Sequence, residues 1–351
     1  MAEVKKKKVT IDAVANAAGV SKTTVSRYLN GRTDLMSEAT AQKIEQIIAL
    51  CDYHPSEYAR ALKSNRTRMV GIIIAEIMNP WSAAIIPECG RVLSENGYTP
   101  LFFNSNNDLD NEKHLVSLLA SKNVVGLIVN PVSYSDPYLV EYRLRGIPVV
   151  LCDRLIRDYP FDAVISEMHD PIHKLISHLK QQGYTRPVFF TQEWQNNYAR
   201  FSRIEAYRAA MISEFGYCNE DDIYTIRVHN SNDAFTQLRD LMNSRKPDER
   251  IAAFCGNTMT LLRLLNSAQR LGYSIPDEIG LCGPDDWDWD ESISLPVMLY
   301  PELTTIKINT RQIGAQCANM ILRKIRAPES EHELIKVPCS LSLRASTRRS
   351  K

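Results

Sequence analysis

The chain has 351 residues, 44% of them hydrophobic and 24% charged, which is too long for one compact domain and predicts two or three. Its formal net charge of +1 conceals an asymmetry: residues 1–68 carry twelve Lys/Arg against seven Asp/Glu, a local +5 that leaves −4 for the remainder. A basic arm on an acidic body is the composition of a nucleic-acid module joined to a domain with another task. The basic run Lys5 to Lys8 leads into a segment interrupted by Thr10, Asp12 and Asn16, so no secretory h-region follows it. Apolar runs such as Val70–Ala75 fall far short of the roughly 20 residues that a membrane span needs. A soluble, cytoplasmic protein with no membrane partner is expected. Eight cysteines are dispersed without a CxxC pair or a zinc-type Cys/His spacing, and read as reduced packing residues. No metal and no cofactor are expected.

From Thr10 the chain predicts three short helices. Thr10 can cap the first, whose apolar face is Ile11, Val14, Ala15 and Ala18. Gly19-Val20-Ser21 is a tight turn in which glycine accepts a positive φ, Val20 enters the core and Ser21 caps the next helix. That helix, about 22–29, turns Val25 and Leu29 inward and leaves Lys22, Thr23, Ser26 and Arg27 outside. A third helix begins at Ser37 and buries Ala41, Ile44, Ile47 and Ile48. Two short helices about a glycine turn form a helix-turn-helix, whose second helix enters the major groove. The plain alternative is a small bundle with solvated charges; the exposed hydrogen-bonding set and the local +5 favour DNA. Residues 51–68 follow as a connector in which Pro55 stops the third helix and Ser56 can cap a two-turn helix bearing Ala59 and Leu62 on one face. A helix that short is marginal alone in water and needs DNA or a second copy to hold it.

From Met69 the texture becomes strands alternating with helices, in two cycles: apolar runs near 70–77, 100–104, 124–130 and 147–153, then near 188–191, 223–228, 251–255 and 279–283. This predicts two doubly wound parallel sheets with ligand loops at the carboxyl ends of their strands. No GxGxxG, GxxxxGK[ST] or GxSxG motif occurs, and the scattered histidines, His114, His169, His173 and His178 among them, form no catalytic constellation.

The head motif VTIDAVANAAGVSKTTVSRYLNG at 9–31, YHPSEYARALKS at 53–64 and the two-lobed body together resemble the lactose-repressor/galactose-repressor family of bacterial transcription regulators. Asn79-Pro80, Gly97-Tyr98, the run 146–150 ahead of Asp153-Arg154, Arg203 with Tyr207, Gly283 with Asp285-Asp286, and Leu303-Thr304-Thr305 extend the likeness along the chain. The resemblance implies an α/β fold with a small all-α head at 1–52, a hinge helix at 53–68 and a periplasmic-binding-protein-like core at 69–351. The chain would cross between lobes near 165, 295 and 328. Lobe one would be about 69–164 with 296–327, and lobe two about 165–295 with 328–344.

The resemblance also implies roles. Lys22, Thr23 and Arg27 would read base edges, with Arg27 donating to guanine. Thr10, Ser21, Thr24, Ser26, Asn30 and Thr40 would hold phosphates, while Ala59 and Leu62 would enter the minor groove of a pseudo-palindromic operator bound by a homodimer. The tail 344–351 shows no leucine heptad of the kind that would build a tetramer. In the cleft, Arg203 would clamp an effector, Asp170 and Asp285 would accept from hydroxyls, Asn257 would bridge, Trp81 would stack on a sugar ring, and Asn104 would line the mouth. An Arg203–Asp285 ion pair and a core position for Trp81 are the structural alternatives. The chain departs from the family pattern at Glu167-Met168 (usually Asp-Asn), at Asn257-Thr258 (usually Asn-Asp) and at Pro284 (usually aromatic). The acid- and indole-rich stretch 285–291 suits a polyol contact or a solvated loop. If Arg154, Arg200 and Arg203 all face the cleft, a sugar acid becomes the attractive effector. The expected function is therefore a repressor of carbohydrate genes under a sugar or sugar-acid effector, and not an enzyme. A global regulator answering to a phosphorylated carrier protein, or a cytosolic sugar-binding or sugar-converting α/β protein, is the alternative.

Overall fold

Short capped helices form first along the chain. In the computed structural model, which describes residues 9–29, 31–51, 53, 67–227, 230, 232–286 and 293–348, the chain divides into two compact units, 1–67 and 68–351. In the first unit, α1 (Ile11–Ala18) is capped by Thr10, whose hydroxyl accepts from Ala13 N at 3.3 Å, and it ends at Gly19 with φ +67°. Ser21 caps α2 (Lys22–Leu29) by accepting from Thr24 N at 3.1 Å, and Ser37 caps α3 (Glu38–Leu50). Val14, Ala15, Ala18, Val25, Ile44 and Tyr53 are the buried core, with Val20, Leu29, Ile47 and Ile48 packed on it. The faces expected from the 3.6-residue period are the ones buried.

The second unit holds two six-stranded sheets. The first joins β1 (Met69–Ile74), β2 (Thr99–Asn104), β3 (Gly126–Val129), β4 (Val149–Cys152) and β5 (Asp162–Glu167) in the order 2-1-3-4-5. The second joins β6 (Arg186–Thr191), β7 (Ile223–Thr225), β8 (Ile251–Cys255), β9 (Ile279–Pro284) and β10 (Thr304–Lys307) in the order 7-6-8-9-10. All these pairings are parallel, as crossover helices require. The helices that follow the head are α4 (Pro80–Glu95), α5 (Leu109–Ser121), α6 (Leu139–Leu144), α7 (His169–Gln181), α8 (Tyr198–Phe215), α9 (Asp233–Asn243), α10 (Thr258–Leu271), α11 (Leu295–Met298) and α12 (Thr310–Arg326).

The lobe crossings differ from the expected positions. The chain leaves the first sheet between β5 and α7, returns between β10 and α12, and crosses last between β11 (Leu334–Pro338) and β12 (Ser340–Ser342). Segment 296–307 therefore belongs with lobe two, because β10 pairs in parallel with β9, Thr305 opposite Gly283. The segment 334–344, expected as one strand of lobe two, is two strands: β11 extends the first sheet beside β5 and β12 runs antiparallel to β10. Pro338, which lacks an N–H to continue a ladder, stands at the break.

The packing of α12 on α4 fixes lobe one. Gly314 sits so close that an added Cβ would lie 2.6 Å from the Ile85 carbonyl oxygen, a backbone atom that cannot swing aside. Alanine would gain helix propensity there, yet the overlap outweighs it. Gly314→Ala is expected to lower stability by roughly 1–3 kcal/mol in urea denaturation; an unchanged midpoint would contradict this packing.

Candidate DNA-reading face and effector cleft

On α2, Lys22, Thr23 and Arg27 are exposed, Ser26 is half-buried and Val25 points inward. Lys22 Nζ lies 3.0 Å from Asp12 Oδ2, both side chains about 60% exposed. An exposed pair of this kind is worth at most about 1 kcal/mol and yields readily to a base or phosphate. Thr10, Ser21, Thr24 and Thr40 stand at helix N-termini. The Ser21 and Thr24 hydroxyls are 2.9 Å apart and those of Ser37 and Thr40 are 2.8 Å apart. Their hydroxyls are thus committed to local capping, while the amide ends they organise favour anions. Asn30, Ala59 and Leu62 lie outside the described residues, as does most of the predicted hinge at 53–68 and the stretch 287–291.

The carboxyl ends of the two sheets meet around a polar pocket lined by Pro80, Trp81, Ala84, Asp285, Asp286, Ile308 and Thr310. Trp81 is buried at the start of α4, and its Nε1 has no acceptor. Asp285 follows β9 with a positive φ of +74°, which a non-glycine residue adopts only where its surroundings enforce it. That turn separates two neighbouring acids. Asp286 takes a bidentate grip from Arg344, at 3.0 and 2.9 Å, and a bond from the Thr305 hydroxyl. Asp285 Oδ2 accepts from the Thr258 hydroxyl, while its buried Oδ1 has no partner. Asn257 caps α10 through Oδ1, accepting from Thr260 N at 2.9 Å, and its Nδ2 is likewise buried and unsatisfied. A hydroxylated ligand offers such atoms the partners that burial otherwise denies them.

Arg203, on α8, donates to the Gly256 carbonyl at 2.8 Å and to Met168 Sδ at 3.1 Å. The carboxylate that it approaches, at 3.9 Å, is Asp153 of lobe one, so the alternative of an Arg203–Asp285 ion pair is replaced by an inter-lobe one. Arg154 donates to the Pro131 carbonyl at 3.0 Å. Arg200 donates to the Glu193 carbonyl at 2.6 Å and to Gln192 Oε1. Burial and the charges of Arg154 and Arg203 push Arg200 down to about 9, and burial also lowers Arg154. Guanidinium groups stay charged in proteins, so the depression measures how poorly this cation is compensated. Two of the three departures from the family pattern bear on this balance: Met168 Sδ accepts from Arg203, and the Thr258 hydroxyl donates to Asp285.

Two expected contacts are not assembled here. Asp170 is 71% exposed in the first turn of α7 and pairs with Lys174 at 2.7 Å, so it is not drawn into the cleft group. Asn104 spends its Oδ1 on Ile77 N and Asn106 N, organising the loop after β2. Three residues that the candidate set omitted are present instead: Asp153, Thr258 and Cys339. Cys339 lies between β11 and β12, where burial and the nearby Asp153 carboxylate push its thiol up to about 12. The Asp153-Arg154 motif and the departure at Asn257-Thr258 had marked two of the three in the sequence; nothing had marked Cys339.

Burial raises the Asp285 carboxyl from its ordinary 3.8 to about 6, against the pull of Arg203 and the Thr258 hydroxyl. Its contribution to stability is therefore complete below about pH 4 and is lost as pH rises through about 6. Asp285→Asn removes that loss, so the variant should gain on the order of 2–3 kcal/mol relative to the parent between pH 4 and 7.5. Urea unfolding of both across this range tests it, and a pH-independent difference would contradict it.

The signature of bacterial regulatory proteins of the lacI family matches residues 10–56, and that of a periplasmic binding protein-like domain matches 176–347. The HTH-type transcriptional regulator PtxS of Pseudomonas aeruginosa is 30% identical over 341 residues, covering 97% of this chain and 96% of the relative. The HTH-type transcriptional regulator KdgR of Bacillus subtilis is 28% identical over 96% of this chain and 97% of its own. Among solved structures, the lac repressor dimer bound to operator and the anti-inducer ONPF superposes with a TM-score of 0.83 at 20% identity, covering 98% of this chain and all of the other. The transcriptional regulator CelR in complex with cellobiose gives 0.69 at 22% identity, over 96% and 99%. These structures share the fold of head and two parallel-sheet lobes. With one family signature on its head, another on its core and a 30%-identical relative matched end to end, this chain belongs to the lacI family of bacterial regulatory proteins.

Proposed function

We propose that this protein is a cytoplasmic, homodimeric repressor of carbohydrate genes that reads a pseudo-palindromic operator through α2 and is controlled by a sugar acid held between its lobes. The single observation that carries the effector class is the arginine cluster. Arg154 and Arg203 lie near enough to Arg200 to depress it, Arg200 donates to the Glu193 carbonyl and Gln192 Oε1 and to no carboxylate, and Asp153 stands 3.9 Å from Arg203. A ligand carboxylate supplies the missing counter-charge with bidentate geometry. The hydroxylated remainder of the ligand meets Asp285 Oδ1, Asn257 Nδ2 and Trp81 Nε1, which are buried and without a hydrogen-bond partner.

Two heads are needed to cover two half-sites at fixed spacing. Val297, Met298 and Tyr300 at the edge of lobe two are 46%, 70% and 93% exposed, an apolar set that a second copy would cover. An effector that alters lobe closure changes how two heads are presented to DNA, and reciprocity requires DNA to alter effector affinity by the same factor.

Two measurements test this reading. Operator DNA selected from a random pool should bind with a steep salt dependence, and Arg27→Ala should cost roughly 1–3 kcal/mol and relax preference at one base pair. An unchanged sequence profile removes Arg27 from the reading face. Operator affinity measured against a metabolite panel should respond to aldonic, keto-aldonic or uronic acids. A response only to neutral sugars, or only to a phosphorylated carrier protein, overturns the sugar-acid reading, and turnover of a sugar would favour an enzyme.

A further inference from the structure

The loop after β3 and the loop after β6 belong to different lobes, yet they are tied at one side chain. Asn196 Oδ1 accepts from Ser133 Oγ at 3.1 Å, Tyr134 N at 3.0 Å, Ser135 N at 3.0 Å and Ser135 Oγ at 2.9 Å. The main-chain oxygen of Asn196 also receives Tyr134 N at 3.0 Å. Two of these donors are backbone N–H groups that can only donate, so the carbonyl end of the amide must face them. Beside the polar knot, the Tyr134 ring packs on Tyr198 and Phe201 of lobe two with centroids 5.5 and 5.7 Å away, and Arg157 covers it at 4.7 Å. We propose that Asn196 is a positioning residue that clasps the two lobes at the rim of the cleft and so sets their degree of closure.

The clasp is rooted where a cleft ligand would be felt. On lobe one, Glu112 accepts from Val132 N at 3.0 Å and from the Tyr138 hydroxyl at 2.8 Å, Lys113 pairs with Asp136 at 2.6 Å, and Arg154 holds the Pro131 carbonyl. On lobe two, Arg200 holds the Glu193 carbonyl and the Gln192 side chain, three to four residues before Asn196. Each half of the clasp thus hangs from one of the cleft arginines. A ligand anion that redirects those guanidinium groups would pull on both loops at once; this coupling rests on the sugar-acid reading, whereas the clasp itself does not.

The test needs no ligand. Hydrogen exchange of the full chain is compared for wild type, Asn196→Ala, Asn196→Asp, and the double variant Ser133→Ala/Ser135→Ala on the opposite lobe. Removing Asn196 should speed exchange at least tenfold in both 131–138 and 192–197, with α5 and α8 unchanged. Small-angle scattering should show a larger radius of gyration. The serine variant should release 192–197 across the lobe boundary, and Asn196→Asp, which keeps acceptor oxygens, should retain wild-type protection. Unchanged exchange in 131–138, a release confined to the mutated lobe, or uniformly faster exchange through both lobes would overturn the clasp. The metabolite panel can fail with this result intact, so the two readings fall separately.

Discussion

A half-buried guanidinium with no hydrogen-bonded carboxylate is the constraint on which the rest of this cleft depends. Burying a charge is costly unless something of opposite sign is close; Arg200 donates only to a backbone carbonyl and a glutamine oxygen, and the Glu193 charge offsets its burial only in part. Two further arginines raise that cost by mutual repulsion. Most acids that could relieve it are engaged or pushed toward neutrality. Asp286 is held by Arg344, while burial lifts Asp285 to about 6 and Glu112 to about 7. The three guanidinium groups therefore lie near one another with few free carboxylates around them, and that imbalance is what supports the proposed sugar-acid effector.

The topology explains why that site lies between lobes. Both sheets end their parallel strands on the same cleft, and three chain crossings near 168, 308 and 339 join them. Asp153 follows β4 of lobe one and Arg203 rides on α8 of lobe two, so their approach at 3.9 Å depends on how the lobes are set. Cys339 stands at the last crossing beside the same charges. Asn196 ties the rim. Lobe closure, ligand charge and the arrangement of the crossings are thus aspects of one contact set rather than separate devices.

Much of this was legible in the sequence because it followed strict periods. The caps Thr10, Ser21 and Ser37, the turn at Gly19 and the inward faces of the head helices came directly from spacing. The alternation of strands and helices gave the two parallel sheets, while the cleft roles of Arg203, Asn257, Asp285 and Trp81 came from the family resemblance alone. Pairing across sheets was not legible, because a short strand carries no mark of its neighbour: β10 and β11 were each expected in the other lobe. The family resemblance made Asp170 a cleft acceptor, yet it pairs with a lysine one turn later. Asn196 gave no signal, since its partners are sixty residues away and two of them are backbone amides.

The central claim is that charge, and not shape alone, selects the effector. Calorimetric titration of the purified chain with six-carbon aldonic, keto-aldonic and uronic acids, each beside its neutral polyol or aldose, measures it directly. At least one acid should bind a hundredfold or more tighter than its neutral counterpart, a difference of roughly 3 kcal/mol, and Arg200→Ala should erase most of that difference. Equal affinity for an acid and its neutral partner, or an acid preference untouched by the loss of Arg200, would contradict the account.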